Sequence, residues 1–131
     1  MPVDSEHPLI LIVEDDQTIR HLCARLLNRA GFTTLTAATG AEALKQFEAH
    51  APLLRVVMLD LHLGREDGAW VMDACHAIKP QVPFVVMSGT SEQQMRESFP
   101  QSHQPTAYLA KPFSPPLMLQ LIARLAQHKE M

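Results

Sequence analysis

Three short runs of apolar residues constrain this chain more than any other feature: Leu9-Ile10-Leu11-Ile12-Val13, Arg55-Val56-Val57-Met58-Leu59 and Phe84-Val85-Val86-Met87. A strand with no polar face has to be covered on both sides, which is how strands of a parallel sheet between two helical layers read. The Leu9–Val13 run is far too short to cross a bilayer as a helix. Phe32-Thr33-Thr34-Leu35-Thr36-Ala37 and Ala107-Tyr108-Leu109-Ala110 are more mixed and are expected at the edges of the same sheet.

Between the runs the apolar period changes to that of a helix. Ile19, Leu22, Cys23, Leu26 and Leu27 form one face, with Gly31 placed to end it. Gly40, Ala43, Leu44 and Phe47 form a second, and Val71, Ala74, Cys75 and Ile78 a third that stops before Pro80. Met118, Leu121, Ile122 and Leu125 form the last, with Ser114 as N-cap and Pro115 and Pro116 in the first turn. Ser91 to Phe99 offers only Met95 and Phe99 as apolar positions, so a short helix is expected there. Strand and helix alternate throughout, which predicts an α/β fold: a (βα)5 doubly wound, five-stranded parallel sheet in the order 2-1-3-4-5. The expected division is a polar tail over residues 1–8, one domain over 9–128 and a short tail over 129–131.

A net charge of −3 gives no basic surface for nucleic acid, so direct nucleic acid binding by this segment is not expected. The polar, acidic opening from Met1 to Pro8 has no secretory pattern, and a cytoplasmic chain without membrane insertion is expected. Cys23 and Cys75 both fall in helical apolar patterns and read as buried thiols rather than a disulfide. His21, His50, His76 and His128 are widely separated and read as solvated surface residues with no metal-ligand spacing. Trp70 reads as partly exposed packing and a potential fluorescence reporter.

Open parallel sheets bind ligands at the carboxyl ends of their strands. Here those ends are Glu14-Asp15-Asp16, Asp60, Ser88-Gly89 and Lys111-Pro112. Four strands thus deliver carboxylates, a hydroxyl and an ammonium to one rim. Close carboxylates repel unless their pKa values rise or a hard cation sits among them, and Mg2+ suits such oxygen ligands. An Asp carboxylate can attack phosphorus once a metal and a lysine neutralise the developing charge. Asp60 alone could merely cap a loop; beside Glu14, Asp15 and Lys111 it reads as the centre of an aspartyl-phosphate site. Asp16 reads as an N-cap and Asp67 as a turn or cap residue.

With these pieces in order, the chain resembles the receiver domains of two-component response regulators from about Leu9 to His128. The resemblance rests on Ile12-Val13-Glu14-Asp15-Asp16, Met58-Leu59-Asp60-Leu61 with Asp67-Gly68, Val86-Met87-Ser88-Gly89, and Tyr108-Leu109-Ala110-Lys111-Pro112-Phe113. It implies a flavodoxin-like receiver fold in which Asp60 is the phosphoacceptor. By the same resemblance Mg2+ is held by Asp15 and Asp60 directly, by Glu14 through water, and by the backbone carbonyl of His62. Ser88 would be the switch hydroxyl, Lys111 the phosphate-contacting cation, and Tyr108 the aromatic that turns inward on activation. The Lys111-Pro112 bond would be cis.

The implied function is a phosphorylation-dependent signalling switch in a phosphorelay, not an enzyme with an external substrate. Its partners would be a histidine kinase or histidine phosphotransfer protein and a downstream output protein or fused domain, met through the face of the fourth helix, fifth strand and fifth helix. The phrase from Phe84 to Glu92 resembles receivers of hybrid sensor kinases. The chain departs from the family at Leu63-Gly64, where a Met-Pro pair is usual; Gly64 implies a more mobile loop. His62 and Thr90 stand where relatives tune phosphoryl lifetime, and residues 91–105 lack the basic–acidic pattern of many dimerising DNA-binding regulators. Two other readings use the same residues: a dehalogenase-like Mg2+ phosphatase, against which His62 stands where a second acid is needed, and a receiver-like module that is never phosphorylated.

Overall fold

The computed structural model describes residues 7–127. Five strands form one parallel sheet: β1 (Leu9–Val13), β2 (Thr33–Ala37), β3 (Leu54–Asp60), β4 (Phe84–Ser88) and β5 (Ala107–Ala110). Their spatial order is β2-β1-β3-β4-β5, as the alternation of the sequence predicts, with the two mixed strands at the edges. The helices are α1 (Gln17–Arg29), α2 (Gly40–His50), α3 (Ala69–Ile78), α4 (Glu92–Glu97) and α5 (Pro115–Ala126). His128, expected on the last helix, lies outside the described residues, as do residues 1–6 and 129–131.

Alternation along the central strands sorts the core into two layers. Leu11, Val13, Val57, Leu59 and Val86 point to the side covered by Phe47 of α2, Val71, Met72 and Cys75 of α3, and Met95 of α4. Ile10, Ile12, Val56, Met58 and Met87 point to the other, against Cys23 and Leu27 of α1 and Met118 and Ile122 of α5. Both cysteines are buried and free, and burial pushes their thiols up to about 11 for Cys23 and about 12 for Cys75. Neither is a nucleophile at neutral pH.

Two expected core positions face solvent. Leu22 is 49% and Ile78 45% exposed. In α3 the buried stripe runs through Val71, Met72 and Cys75, and His76 follows Met72 by one turn to pack edge-on against Phe84. Ile78 is left on the outer side of that stripe.

Helix starts follow local hydrogen bonding. Asp16 accepts from Ile19 N at 3.0 Å, Thr39 from Glu42 N at 3.1 Å and Ser114 from Leu117 N at 3.2 Å. Ser91 and Gln94 form a reciprocal capping box, which lets the six-residue α4 form with so few apolar positions. After β3, His62–Leu63 and Glu66–Asp67 pair as a small antiparallel hairpin that the apolar pattern did not predict. Its turn has Gly64 at φ +63°, a left-handed conformation that favours glycine.

Candidate functional site

Strand register brings the polar ends level. Val13 pairs with Leu59, Asp60 with Met87, and Ser88 with Ala110. Glu14, Asp60 and Lys111 therefore leave their strands side by side. Glu14 is fully buried and Asp60 only 4% exposed, whereas Asp15 faces solvent.

Lys111 bridges the two buried acids. Its Nζ donates to Glu14 Oε1 and, at 2.9 Å, to Asp60 Oδ2. The remaining carboxylate oxygens are held by backbone amides. Asp60 Oδ1 accepts from His62 N at 2.9 Å, Glu14 Oε2 from Asp16 N at 3.3 Å, and Asp15 Oδ2 from Gly64 N at 2.8 Å. Arg20 Nη1 donates to the Glu14 carbonyl at 2.9 Å and so fixes the backbone from which both acids project. Neither Arg20 nor the Gly64 amide carries a signal in the sequence that points to this site.

One oxygen from each of Glu14, Asp15 and Asp60 lies within 4.8 Å of the others. Three carboxylates face one ammonium, and all the donors are hard oxygens, so the set fits a divalent ion such as Mg2+. Burial, followed by the hydrogen bond shared with Asp60, pushes Glu14 up to about 7 against the opposing pull of Lys111. Burial works against the Lys111 ammonium, but its hydrogen bonds to Glu14 and Asp60 prevail and raise its pKa.

The Glu14 shift makes stability depend on pH. An unfolded Glu14 releases its proton near 4.5, whereas the folded one keeps it to about 7. Between these values the native state holds the extra proton, so its stability falls as pH rises. In metal-free buffer, unfolding free energy from urea titration is expected to drop by about 2 kcal/mol from pH 5.5 to 8 on account of Glu14. Glu14→Gln should flatten that part of the profile; an unchanged slope would place the titration elsewhere.

Ser88 is fully buried. Its hydroxyl lies 2.9 Å from Thr90 Oγ1 and 3.2 Å from His62 Nδ1 and accepts from Thr90 N at 3.1 Å. Tyr108 is half-buried, with its hydroxyl donating to Gln104 and the Arg96 guanidinium 4.7 Å from its ring centre. The Lys111–Pro112 peptide bond is cis. Trp70 is 39% exposed, and its indole N–H donates to Glu66 at 3.3 Å.

Asp67 accepts from Ala69 N at 2.9 Å, two residues on, as a turn residue should, and the N-cap position of α3 is Gly68. Gly68 has a role set by the fold rather than by local sequence. A Cβ at Gly68 would stand 2.6 Å from the Asp60 carbonyl oxygen, and Gly68 N donates to the Leu61 carbonyl at 2.7 Å. Gly68→Ala should therefore push α3 away from the end of β3 and cost about 1–3 kcal/mol. Thermal unfolding checks this, and an unaltered melting temperature would contradict the close approach.

Residues 10–123 match the family model of the response regulator receiver domain. The transcriptional regulatory protein PrrA of Mycobacterium tuberculosis is 32% identical over 118 residues, covering 90% of this chain and 48% of PrrA. The sensor kinase CckA of Brucella abortus is 30% identical over 105 residues, covering 80% of this chain and 11% of CckA. The chain thus spans half or less of the length of these relatives. Among solved structures, a CheY-like receiver domain protein from Methanospirillum hungatei superimposes with a TM-score of 0.81 at 23% identity, covering 92% of this chain and 94% of that one. Chemotaxis protein CheY4 of Vibrio cholerae gives 0.80 at 25% identity, covering 91% and 98%. Among the described residues no helix is long and apolar enough to cross a membrane. Family match, sheet order and the acidic rim agree, and the chain belongs to the response regulator receiver domains of two-component signalling.

Proposed function

We propose that Asp60 accepts a phosphoryl group from a phosphohistidine and that the domain switches partner binding in response. The observation behind this reading is the Lys111 ammonium bonded to both Glu14 and Asp60, with Asp15 completing an acidic cluster beside them. The donor would be a histidine kinase or a histidine phosphotransfer protein.

The His62 amide holds Asp60 Oδ1 and the Lys111 ammonium meets Oδ2, so the carboxylate is oriented before any donor arrives. In transfer, an Asp60 oxygen forms the new bond to phosphorus as the P–N bond to the donor imidazole breaks in line with it. The leaving nitrogen keeps the bonding pair as its lone pair, and the proton on the donor's other ring nitrogen makes the leaving group neutral imidazole. Mg2+ bound by Asp15, Asp60, the His62 carbonyl and, through water, Glu14 would neutralise charge on the acids and the phosphoryl oxygens. Lys111 lies where it can follow the charge from the free carboxylate to the acyl phosphate.

Ser88 would leave His62 and Thr90 to bond a phosphoryl oxygen, and Tyr108 would leave Gln104 and turn inward. Both movements remodel the α4–β5–α5 face. That face holds a groove of about 620 Å3 lined by Arg96, Tyr108, Leu117, Leu121 and Arg124, which would meet an output protein or fused domain. The chain would catalyse its own phosphorylation and slow dephosphorylation without turning over an external metabolite.

Incubation with acetyl phosphate and Mg2+, followed by intact-mass and peptide analysis, tests the assignment. One acid-stable, base-labile phosphoryl group on the peptide containing Asp60 is expected. Labelling elsewhere, or none, would overturn it.

A further inference from the structure

Outside the acidic rim, α3 and the loop before β5 bring two imidazoles together across 27 residues of sequence. His76 Nδ1 lies 2.9 Å from His103 Nε2, with the rings nearly perpendicular at 82°. His76 Nε2 is 2.9 Å from the Val82 carbonyl, which can only accept. That bond places the neutral ring's proton on Nε2 and leaves the Nδ1 lone pair facing His103. Asp73, one turn before His76 on α3, has Oδ1 3.6 Å from the same His103 nitrogen. The side chains of His103 and Asp73 are 40% and 66% exposed, so solvent reaches the pair and both can adjust.

We infer that His76, His103 and Asp73 form a site for a borderline divalent transition-metal ion, of the Cu2+, Ni2+ or Zn2+ class, separate from the acidic cluster. Imidazole nitrogen beside one carboxylate is the donor set such ions prefer, whereas Mg2+ prefers oxygen alone. Bonding the second ring nitrogen to a backbone carbonyl is the usual way a protein orients a ligating histidine, and Val82 does this for His76.

The spacing also fits. Two nitrogens about 2.0 Å from a metal and at right angles to each other stand about 2.8 Å apart, and tetrahedral ligands about 3.3 Å apart. The 2.9 Å separation matches the first spacing and needs a small opening for the second, while the direction of the lone pairs still has to change. Binding requires the His103 ring proton to move from Nε2 to Nδ1 through solvent, with no net change in protonation of the neutral rings. His103 then pivots so that both lone pairs converge on the ion, and Asp73, whose Oδ1 is 3.6 Å from His103 Nε2, swings toward His76 to complete the set. Water fills the remaining positions. The bound ion would tie α3 to the segment that leads into β5.

The sequence suggested solvated surface histidines because no two of them have ligand spacing. The fold supplies the proximity that spacing lacks.

Calorimetric titration of Zn2+ and Cu2+ into the full chain, in excess Mg2+ to fill the acidic cluster, tests the inference. One equivalent is expected to bind with micromolar affinity. His103→Gln should weaken it at least ~20-fold and Asp73→Asn less, whereas Asp60→Asn should leave it within about threefold. Bound Cu2+ should show two-nitrogen coupling in its electron paramagnetic resonance spectrum. His76→Gln also loses packing on Phe84, so the variants at the loop and at Asp73 carry the test, with unchanged thermal melts as their control. Binding to His103→Gln as tight as to the unaltered chain, or binding lost only in Asp60→Asn, would overturn the site.

Discussion

Asp60→Asn is expected to lose all phosphoryl uptake from acetyl phosphate and yet to unfold at higher urea than the unaltered chain in metal-free buffer at pH 8. Loss of uptake follows because an amide oxygen cannot replace the carboxylate as nucleophile. The gain in stability follows from the crowding of charge. Asp60 lies within 4.8 Å of carboxylate oxygens on both Glu14 and Asp15. At an effective dielectric of about 20, each such pair repels by roughly 3 kcal/mol or more. Removing both repulsions outweighs the lost attraction to Lys111, which keeps Glu14 as its partner. The neutral side chain can still accept the His62 amide proton through its oxygen. A net gain of about 1–2 kcal/mol is expected. Retained labelling would remove Asp60 as the acceptor. Loss of labelling together with a large loss of stability would point to damage rather than chemistry.

Lys111→Met has the opposite sign. Glu14 and Asp60 would remain buried, side by side, with no cation between them. Breaking a buried ion pair from one side costs about 3–5 kcal/mol, because the partner's charge stays behind unpaired. Here two charges stay behind, but one can take up a proton, which keeps the cost near that range. The loss should be largest in chelator at pH 8 and shrink on adding Mg2+ or on lowering the pH to 5, since either neutralises the acids by another route. Urea titrations at the two pH values, with and without Mg2+, measure this. A variant equally unstable under every condition would show that Lys111 supports the fold by packing alone.

The parts of this molecule that could be read from sequence are those governed by local pattern. The apolar runs give β1, β3 and β4, and their polar neighbours give the rim, because a strand's carboxyl end is fixed by where its run stops. The caps at Asp16 and Ser114 follow from residue type and position alone. What escaped depends on backbone approach in three dimensions. The hairpin after β3 has only two residues per strand, too few to show a period. Leu22 and Ile78 satisfy helical spacing yet face solvent, since spacing defines a stripe but not its width. Gly68 is conspicuous only once the Asp60 carbonyl is seen beside it. His76 and His103 could not be paired without the crossovers that bring α3 next to the loop before β5.

The lysine bridge bears on how the domain would hold an ion. In small zinc modules the metal supplies the cohesion, and the chain collapses when it is taken away. Here an ammonium already spans the ends of three strands. A Mg2+ ion held there would therefore be a visitor to a finished building rather than one of its beams. On the proposed function, its coming and going would follow ion supply and phosphorylation while the architecture stands.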